Sequence, residues 1–580
     1  MSAKKHMGKS ANKNVRKNTA VSPASLTLPE CIVQVLLAAL LGIFPLYYQN
    51  KYYNMGDAKY QFFKTVTFIL LIVLAALLAT DKLITPPKDW KKPKLSFLDS
   101  AVLAYTAAAI LSWIFSPFKS EAWIGSHEWY MGLLSQLLFV GIYFAVSRFC
   151  TRKKWPLWIM GASAAVVFLI AYLHRFKIDP LGLYENISDH YQVLFLGTIG
   201  QATWYSSYIA VVLPVIMGIY IQDETLPRIL TGCLLFLGFC SAVTQNSDSI
   251  YVGLGLAFLF LLWFAMVNPY IWKQYLELCL IALSAAKFTG ILQAAFPERV
   301  PELEPLSLMI TKGKGGWPVF VAIAGVYVLT LYLLHRLKQT ARISSSYKEQ
   351  TVAEDKKHTS VTQDSVPQTA SLPVTYAGSL PPILSYKFFR RLRAILFALL
   401  GIGMLLVPIV MWLVSTGRIS GSSGILGSTG YLNFDDKSWG SGRGQTWSYC
   451  VRIFSEYPPL MKLFGCGPDS LTFYSEAYHA AEIQAMWNGL KLTNAHNEWL
   501  TALINYGLIG AAAYLSVFIL ATIRMLKNRK ESPILLAAAA AVLSYAGHNF
   551  FCYQQAVCTP LIFIVIGAAE YLCRNPKQKR

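Results

Sequence analysis

The chain of 580 residues is 55% hydrophobic and only 14% charged, whereas in soluble domains roughly a quarter of the residues are charged. This composition excludes an ordinary soluble protein and indicates a polytopic membrane protein. The net charge of +21 could indicate nucleic-acid binding. With a cytoplasmic N-terminus, however, thirty-five of the 51 Lys and Arg fall in inner loops, which favours a role in membrane orientation.

Apolar stretches of spanning length recur along the whole chain, and they predict an all-α protein with about fourteen transmembrane helices. The stretches lie near residues 28–48, 62–80, 98–116, 131–147, 155–173, 204–221, 229–243, 250–267, 272–290, 317–335, 393–414, 499–523, 532–550 and 557–572. The basic arm 1–27 precedes the first stretch, and no small-residue cleavage pattern follows it. We therefore expect the first span to act as a signal anchor.

The spans fall into an N-terminal membrane bundle, 28–335, and a C-terminal group, 393–573, that ends in the basic tail 574–580. Between them, residues 336–392 are rich in Ser, Thr, Gln and Pro and poor in large apolar side chains. Such a segment cannot bury enough apolar surface to form a core, so we predict a disordered cytoplasmic loop. Both termini are expected in the cytoplasm.

The longest external segment, 415–498, begins with Gly and Ser but regains apolar residues after Gly444. Trp447, Val451 and Phe454 recur at helical spacing and predict one apolar helix face. A second helix is predicted from Ser470, a plausible N-cap, to Trp487, and the turn Gly465-Cys466-Gly467-Pro468 separates the two. The segment is therefore expected to fold as short helices on the outer face of the membrane.

The ten cysteines are scattered and include no C-x-x-C pair. Cys450 with Cys466, and Cys552 with Cys558, would share the external compartment and could form disulfides, although free buried cysteine is also common. No Asp-x-Asp occurs, which removes the usual metal anchor for a nucleotide-sugar donor. We expect neither a metal nor a cofactor.

His496 heads an apolar span at its external end, where an imidazole with an ordinary pKa near ~6.5 could accept a proton. The alternative is an interfacial histidine in a helix cap formed with Asn494 or Asn497. Arg443 lies in a glycine-rich approach to a helix, where a guanidinium beside free backbone N–H groups suits phosphate. A solvated surface arginine is its alternative.

The other candidate residues flank these two or lie at external span ends. Trp204 and Gln201 stand in the approach to the span at 204–221, where aromatic residues usually form an interfacial belt but can also stack on sugars. His548 ends a later span on the same side and could instead hydrogen-bond a neighbouring helix. The residues predicted to bind substrate are Asn497, Glu498, Trp447, Gln201, Trp204 and His548.

Three C-terminal pieces together resemble the O-antigen ligase and polymerase superfamily of bacterial envelope glycosyltransferases. They are the Gly, Arg and Trp of 442–447, the Gly465–Pro468 turn, and His496-Asn497-Glu498 followed by Gly507-Leu508-Ile509-Gly510. Weaker likeness extends upstream to Trp123-Ile124-Gly125-Ser126 with Gly132-Leu133, and to 197–205. Their order along the chain is more specific than any one piece.

The resemblance implies a GT-C-like membrane enzyme that transfers a glycan from a polyprenyl diphosphate-linked donor, without a metal. The acceptor would be a glycan, lipid or protein hydroxyl on the outer face of the bacterial cytoplasmic membrane. By the same resemblance, His496 activates the acceptor hydroxyl and Arg443 neutralises the diphosphate leaving group. The alternatives are a transporter or flippase of envelope lipids and an inactive glycan-binding scaffold.

The chain departs from the family pattern at two positions. Asp248 and Glu128 stand where relatives often carry arginines, so two cations are missing from the expected diphosphate site. Arg175, Arg299 and Lys312 lie in neighbouring external loops and are the candidate substitutes.

Overall fold

The computed structural model of the chain describes residues 26–84, 94–188, 192–222, 228–300, 303–358, 386–418, 432–434, 437 and 439–576. The helices of the N-terminal bundle are α1 (Leu28–Ala38), α2 (Met55–Ile84), α3 (Phe97–Phe115), α4 (Lys119–Ile124), α5 (Leu133–Phe149), α6 (Trp155–His174), α7 (Ala202–Gln222), α8 (Arg228–Ala242), α9 (Ser249–Ala265), α10 (Pro269–Ala295), α11 (Pro305–Lys312) and α12 (Gly316–His358). The remaining helices are α13 (Tyr386–Ser415), α14 (Trp439–Glu456), α15 (Pro459–Phe464), α16 (Leu471–Met486), α17 (Glu498–Lys527), α18 (Ile534–His548) and α19 (Thr559–Arg574).

A helix occupies each of the fourteen predicted spans, which confirms an all-α polytopic membrane protein. Within the described residues, 8 of these helices are long and apolar enough to cross a bilayer. Five others are apolar but shorter, so the count of fourteen stays a prediction. The all-α expectation misses one two-stranded antiparallel hairpin, β1 (Phe195–Leu196) with β2 (Gly200–Gln201).

Helix α7 lies at the centre of the bundle, with its whole apolar window buried. Its main neighbour is α18, whose alanines Ala537–Ala541 are all buried. The two helices approach closely because Gly218 lies directly against Ala537, where a Cβ atom would collide with the backbone. Small residues bring membrane helices together in this way because apolar burial gains little inside a bilayer. Helix α17 packs on α3, and α19 packs on α5.

The described part of the segment 415–498 forms the short helices α14, α15 and α16, which we call the external helices after their predicted placement. Two details of the prediction for this segment are wrong. The buried face of α14 carries Tyr449, Cys450 and Ile453, whereas Val451 is 60% exposed. Ser470 does precede α16, but its hydroxyl donates to the Pro468 carbonyl at 3.2 Å and caps no helix N–H group. The periodicity thus located the helix and misjudged which side packs.

The segment 336–392, predicted to be a coreless loop, begins as helix. The backbone of α12 continues without interruption to His358, and α13 begins at Tyr386. Residues 359–385, the centre of the predicted loop, lie outside the described part of the chain.

Candidate functional site

The predicted histidine lies in a tight turn at the start of α17. His496 has a positive φ of 49°, and its backbone N–H donates to Asn494 Oδ1 at 2.9 Å. Asn497 is the N-cap of α17, because its Oδ1 accepts from the Leu500 N–H at 3.1 Å. The neighbouring asparagines therefore hold this turn, and the cap does not use the imidazole.

The His496 ring is available for chemistry. Its nitrogens make no hydrogen bond to any described residue, and Tyr553 packs edge-on against it with centroids 5.3 Å apart. Burial, and next the nearby positive charge of Arg443, lower the pKa of His496 to about 4. The imidazole is therefore neutral near pH 7, the form that a proton acceptor requires.

Arg443 begins the regular part of α14, after a kink of three left-handed residues. Gly440, Ser441 and Gly442 have φ values of 59°, 60° and 86°, conformations that glycine adopts without strain. The guanidinium Nη1 donates to the Gly440 carbonyl at 2.7 Å, while Nε is buried with no partner among the described residues. Burial raises the pKa of Tyr553, and the charge of Arg443 opposes this rise, so Arg443 acts on the same space as His496.

Trp447 connects the Arg443 helix to the His496 turn. Its Nε1–H donates to the Ala495 carbonyl at 3.0 Å, and its ring packs against Phe550, Phe551 and Trp439. The side chain thus fixes the backbone next to His496. Contact of Trp447 with substrate stays a prediction.

Glu498, the first residue of α17, is 2% exposed and is held by neutral donors. Tyr514 and Asn549 hydrogen-bond its two carboxylate oxygens, and Tyr545 donates to Oε2 at 3.3 Å. The Glu498 N–H also donates to the Asn549 carbonyl at 2.9 Å. These bonds tie the start of α17 to the end of α18 and so hold the His496 turn against the bundle.

Tyr553 contacts several of the predicted residues, although no motif in the sequence pointed to it. Its hydroxyl donates to Gln201 Oε1 at 3.2 Å and contacts Thr203 Oγ1 at 3.0 Å. Trp129 packs edge-on against Tyr553 at 4.8 Å and lies 6.2 Å from Trp204. Aromatic residues are common at membrane interfaces, so no local pattern distinguished this tyrosine.

His548 lies deeper, within the contact between α18 and α7. It is fully buried, and its Nε2 is 2.9 Å from Ser207 Oγ, which also accepts from Gln555 Nε2 at 2.6 Å. These contacts agree with the alternative considered from sequence, a hydrogen bond to a neighbouring helix.

The two glycine motifs of the C-terminal region lie against each other. At Gly507 the φ is +67°, and a Cβ atom there would collide with the backbone of Leu463 and Phe464. In the same contact, the N–H groups of Cys466 and Gly467 donate to the carbonyls of residues 504 and 505 at 3.1 and 3.0 Å. The glycines therefore allow two backbones to touch, which docks the external helices onto α17.

Asp469, directly after the Gly465–Pro468 turn, joins the external helices to the N-terminal bundle. Its Oδ2 accepts from the N–H groups of Ser126 and Met131 at 2.8 and 3.1 Å. Burial raises the pKa of Asp469 to about 7. The loop 126–131, which Asp469 binds, lies in the upstream stretch that resembles the family more weakly.

A crevice of about 430 Å³, counted with the open solvent at its mouth, adjoins the His496 turn. It lies between the 126–131 loop, the external helices and α17. Its lining residues are Trp129, Met131, Asp469, Thr493, Asn494, Glu498, Thr501, Ala502, Asn505, Tyr506, Tyr514, Tyr553 and Gln554. Asn494 and Tyr553 belong both to this wall and to the surroundings of His496.

The three cations considered as substitutes for the missing arginines differ in their burial. Arg175 is buried and donates to the carbonyls of residues 193, 244 and 245, while Arg299 and Lys312 are exposed. The charge of Arg443 also reaches one acid: burial and then the charge of Asp248 raise the pKa of Glu304, and Arg443 opposes this rise. Arg175 therefore supports the backbone before Asp248, and a role of any of the three cations at the diphosphate stays a prediction.

The four cysteines considered for pairing, Cys450, Cys466, Cys552 and Cys558, are free thiols in the structure. Among the described residues, no three His, Cys, Asp or Glu side chains lie close enough to hold a metal ion.

Comparison with protein-family models matches residues 374–515 to the O-antigen ligase family. The matched stretch contains Arg443, His496 and both glycine motifs, so it confirms the resemblance found in the C-terminal region and supports an O-antigen ligase-type function in general. The upstream stretches that resemble the family more weakly, 123–133 and 197–205, lie outside the matched residues. No curated protein matches the chain.

Proposed function

We propose that this chain is a membrane glycosyltransferase of the O-antigen ligase and polymerase type. It would transfer a glycan from a polyprenyl diphosphate-linked donor to an acceptor hydroxyl on the outer face of the cytoplasmic membrane. The observation that carries the proposal is the proximity of Arg443 to His496. Arg443 begins the regular part of α14, and His496 lies in the turn before α17. Trp447 of α14 donates to the Ala495 carbonyl at 3.0 Å and joins the two. In addition to burial, the charge of Arg443 lowers the pKa of His496.

The chemistry follows from these two groups. The acceptor oxygen attacks the anomeric carbon and forms the new C–O bond, while the bond from that carbon to the diphosphate oxygen breaks. The hydroxyl proton passes to the neutral imidazole of His496, and such general-base catalysis typically contributes ~10² to 10⁴ in rate. Negative charge develops on the departing diphosphate, where the Arg443 guanidinium stabilises it.

Substitution of each residue in the native strain tests the proposal. His496→Ala and Arg443→Ala should both cause lipid-linked glycan to accumulate and the mature glycan conjugate or polymer to disappear. Their matched controls are His479→Ala and Arg452→Ala in the same external helices, because these two side chains pair with Glu482 and Glu456 away from the site. Both controls should keep the wild-type glycan profile.

Protein levels in the membrane must be measured alongside the glycan profiles. A wild-type profile in both His496→Ala and Arg443→Ala, at normal protein level, would exclude a glycosyltransferase that uses these residues. Accumulation of donor without loss of product would favour a role in lipid transport.

A further inference from the structure

A cavity of about 950 Å³, counted with the open solvent at its mouth, lies at the far end of α17 from the His496 turn. Its lining residues lie at or near the ends of α7, α9, α10, α13, α17 and α18, and they are Gln222, Trp263, Phe264, Val267, Ile271, Arg393, Arg529 and Leu536. The ends of membrane helices lie near the boundary between lipid headgroups and acyl chains. The cavity therefore lies at this boundary, on the side predicted to be cytoplasmic.

Two arginines line the cavity, and each stacks on an aromatic ring of α9. Arg393 lies 4.2 Å from the ring of Trp263, and its Nη1 donates to the Trp263 carbonyl at 3.3 Å. Arg529 lies 5.9 Å from the ring of Phe264, and its Nη1 donates to the Leu526 carbonyl at 2.8 Å. Because a guanidinium carries several N–H donors, both groups are held in place and still have donors for a ligand.

The positive charge of this cavity is not neutralised by the residues that the structure describes around it. The lining contains no Asp or Glu, and neither arginine forms an ion pair with a described carboxylate. Glu277, an acid of the adjoining helix α10, is paired with Arg228 and Lys273 instead. Two guanidinium groups without an acid suit an anion, and their planar donor geometry suits phosphate in particular.

The walls of the cavity indicate where such a phosphate comes from. Most of the lining is apolar, from Trp263, Phe264, Val267, Ile271 and Leu536. Helix α13, which contributes Arg393, has an apolar window in which no residue is buried by the protein. A soluble phosphate would leave these surfaces without cover, whereas a phospholipid covers them with its acyl chains.

We propose that this cavity binds an anionic phospholipid of the inner leaflet, with its phosphate between Arg393 and Arg529 and its acyl chains along α13. Basic cavities between membrane helices on the cytoplasmic side recognise such headgroups. The site lies at the opposite end of α17 from His496, so the inference does not depend on the proposed reaction.

A lipid at this position joins α13 to the bundle. The aromatic contacts described for α13 with α9 and α10 lie in its N-terminal half, where Phe389 is 6.0 Å from Trp272 and Phe397 is 4.8 Å from Trp263. One of the two arginines belongs to α13, and the other follows the end of α17. The bound phosphate bridges them and so holds α13 against the end of α17.

The test is a lipid titration of the full-length protein in detergent micelles, followed by native mass spectrometry. The probes are phosphatidylglycerol and phosphatidylcholine with the same acyl chains. One phosphatidylglycerol should bind about tenfold tighter than phosphatidylcholine or more, and the double variant Arg393→Gln with Arg529→Gln should lose most of this preference, about fivefold for each arginine.

The double variant Arg391→Gln with Lys530→Gln is the matched control. It removes the same two charges from exposed neighbours outside the lining, so the lipid preference should stay that of the wild type. Equal binding of the two lipids by the wild type, an unchanged preference without Arg393 and Arg529, or an equal loss in the control would overturn the inference.

Val267→Trp tests the cavity without a change of charge. Val267 is exposed at the cavity, so a larger ring there occupies the lipid position and leaves the arginines intact. Binding of phosphatidylglycerol should fall to near that of phosphatidylcholine, and wild-type binding would contradict a site in this cavity. This variant decides the question if the double arginine variant does not fold.

Competition with inorganic phosphate separates the lipid from a soluble phosphate compound. Millimolar phosphate should leave phosphatidylglycerol bound, because the acyl chains contribute to its affinity and free phosphate lacks them. Ammonium acetate at the same ionic strength is the control for screening. Displacement by phosphate and not by acetate would identify a soluble phosphate compound as the ligand and overturn the assignment to a lipid.

Discussion

His496 and Arg443 are coupled through charge, and in the proposed reaction this coupling would make the basicity of the histidine depend on the donor. The guanidinium lowers the pKa of His496 in addition to the larger effect of burial. A diphosphate bound at Arg443 would bring negative charge that offsets the guanidinium. Donor binding would therefore raise the pKa of the imidazole and improve it as a proton acceptor at the moment when the leaving group is in place.

This coupling predicts different pH profiles for kcat and kcat/KM. Protonation of His496 removes activity on the acidic side, and the kcat/KM profile reports the enzyme without donor, with a limb near pH 4. The kcat profile, measured with saturating donor, should show this limb at higher pH, by about one unit. Coincident limbs, or a kcat limb at lower pH, would contradict the coupling.

Charge variants of Arg443 provide the control. Arg443→Lys keeps the positive charge, so its kcat/KM limb should stay near the wild-type position even if the rate falls. Arg443→Gln removes the charge that lowers the pKa of His496, so the limb should move to higher pH.

At the scale of the helix, α17 is interrupted where it contacts the external helices. Gly507 takes a left-handed backbone conformation in the middle of a 30-residue helix, and the backbone of residues 463 and 464 fills the space where a side chain would begin. The non-helical backbone at Gly507 thus allows a direct contact between two backbones. That contact fixes the external helices that carry Arg443 relative to the turn that carries His496.

Gly507→Ala should therefore destabilise the protein. A non-glycine residue at this φ costs about 1–3 kcal/mol in backbone strain, and the collision with residues 463 and 464 adds to it. We expect a lower midpoint of thermal unfolding and a lower yield of folded protein. Gly403→Ala in α13 is the matched control, because that glycine is helical and open space surrounds it. Similar unfolding midpoints for the two variants would show that the break at Gly507 is dispensable.

The helices could be predicted from sequence more completely than the contacts between them. Apolar stretches located a helix in every predicted span because a membrane helix must satisfy its backbone hydrogen bonds within itself. Arg443 and His496 could be found because each stands beside a short motif. Tyr553, Asp469 and Trp129 could not, since their roles depend on contacts among residues 126–131, 469 and 553 that no local pattern records.

For the whole molecule, α13 is the helix that separates the two long segments of the chain. Its 18-residue apolar window has no residue buried against the rest of the structure, although its N-terminal half contacts α9 through Arg393, which lies 4.2 Å from the ring of Trp263. An apolar helix without protein cover is stable in lipid and unstable in water. This exposure supports a position of α13 within the bilayer, facing lipid along most of its length.

Reporter fusions at positions 360 and 430 test the orientation, because α13 is the single predicted span between them. A reporter active in the cytoplasm should work at 360 and fail at 430, and one active outside the cell should show the reverse. The same orientation is predicted by α17, which extends ~45 Å from the His496 turn and ends in the basic residues Arg524 and Lys527. Equal reporting at both positions would mean that α13 does not cross the membrane. The external placement of Arg443 and His496 would then lose its basis in the chain's topology.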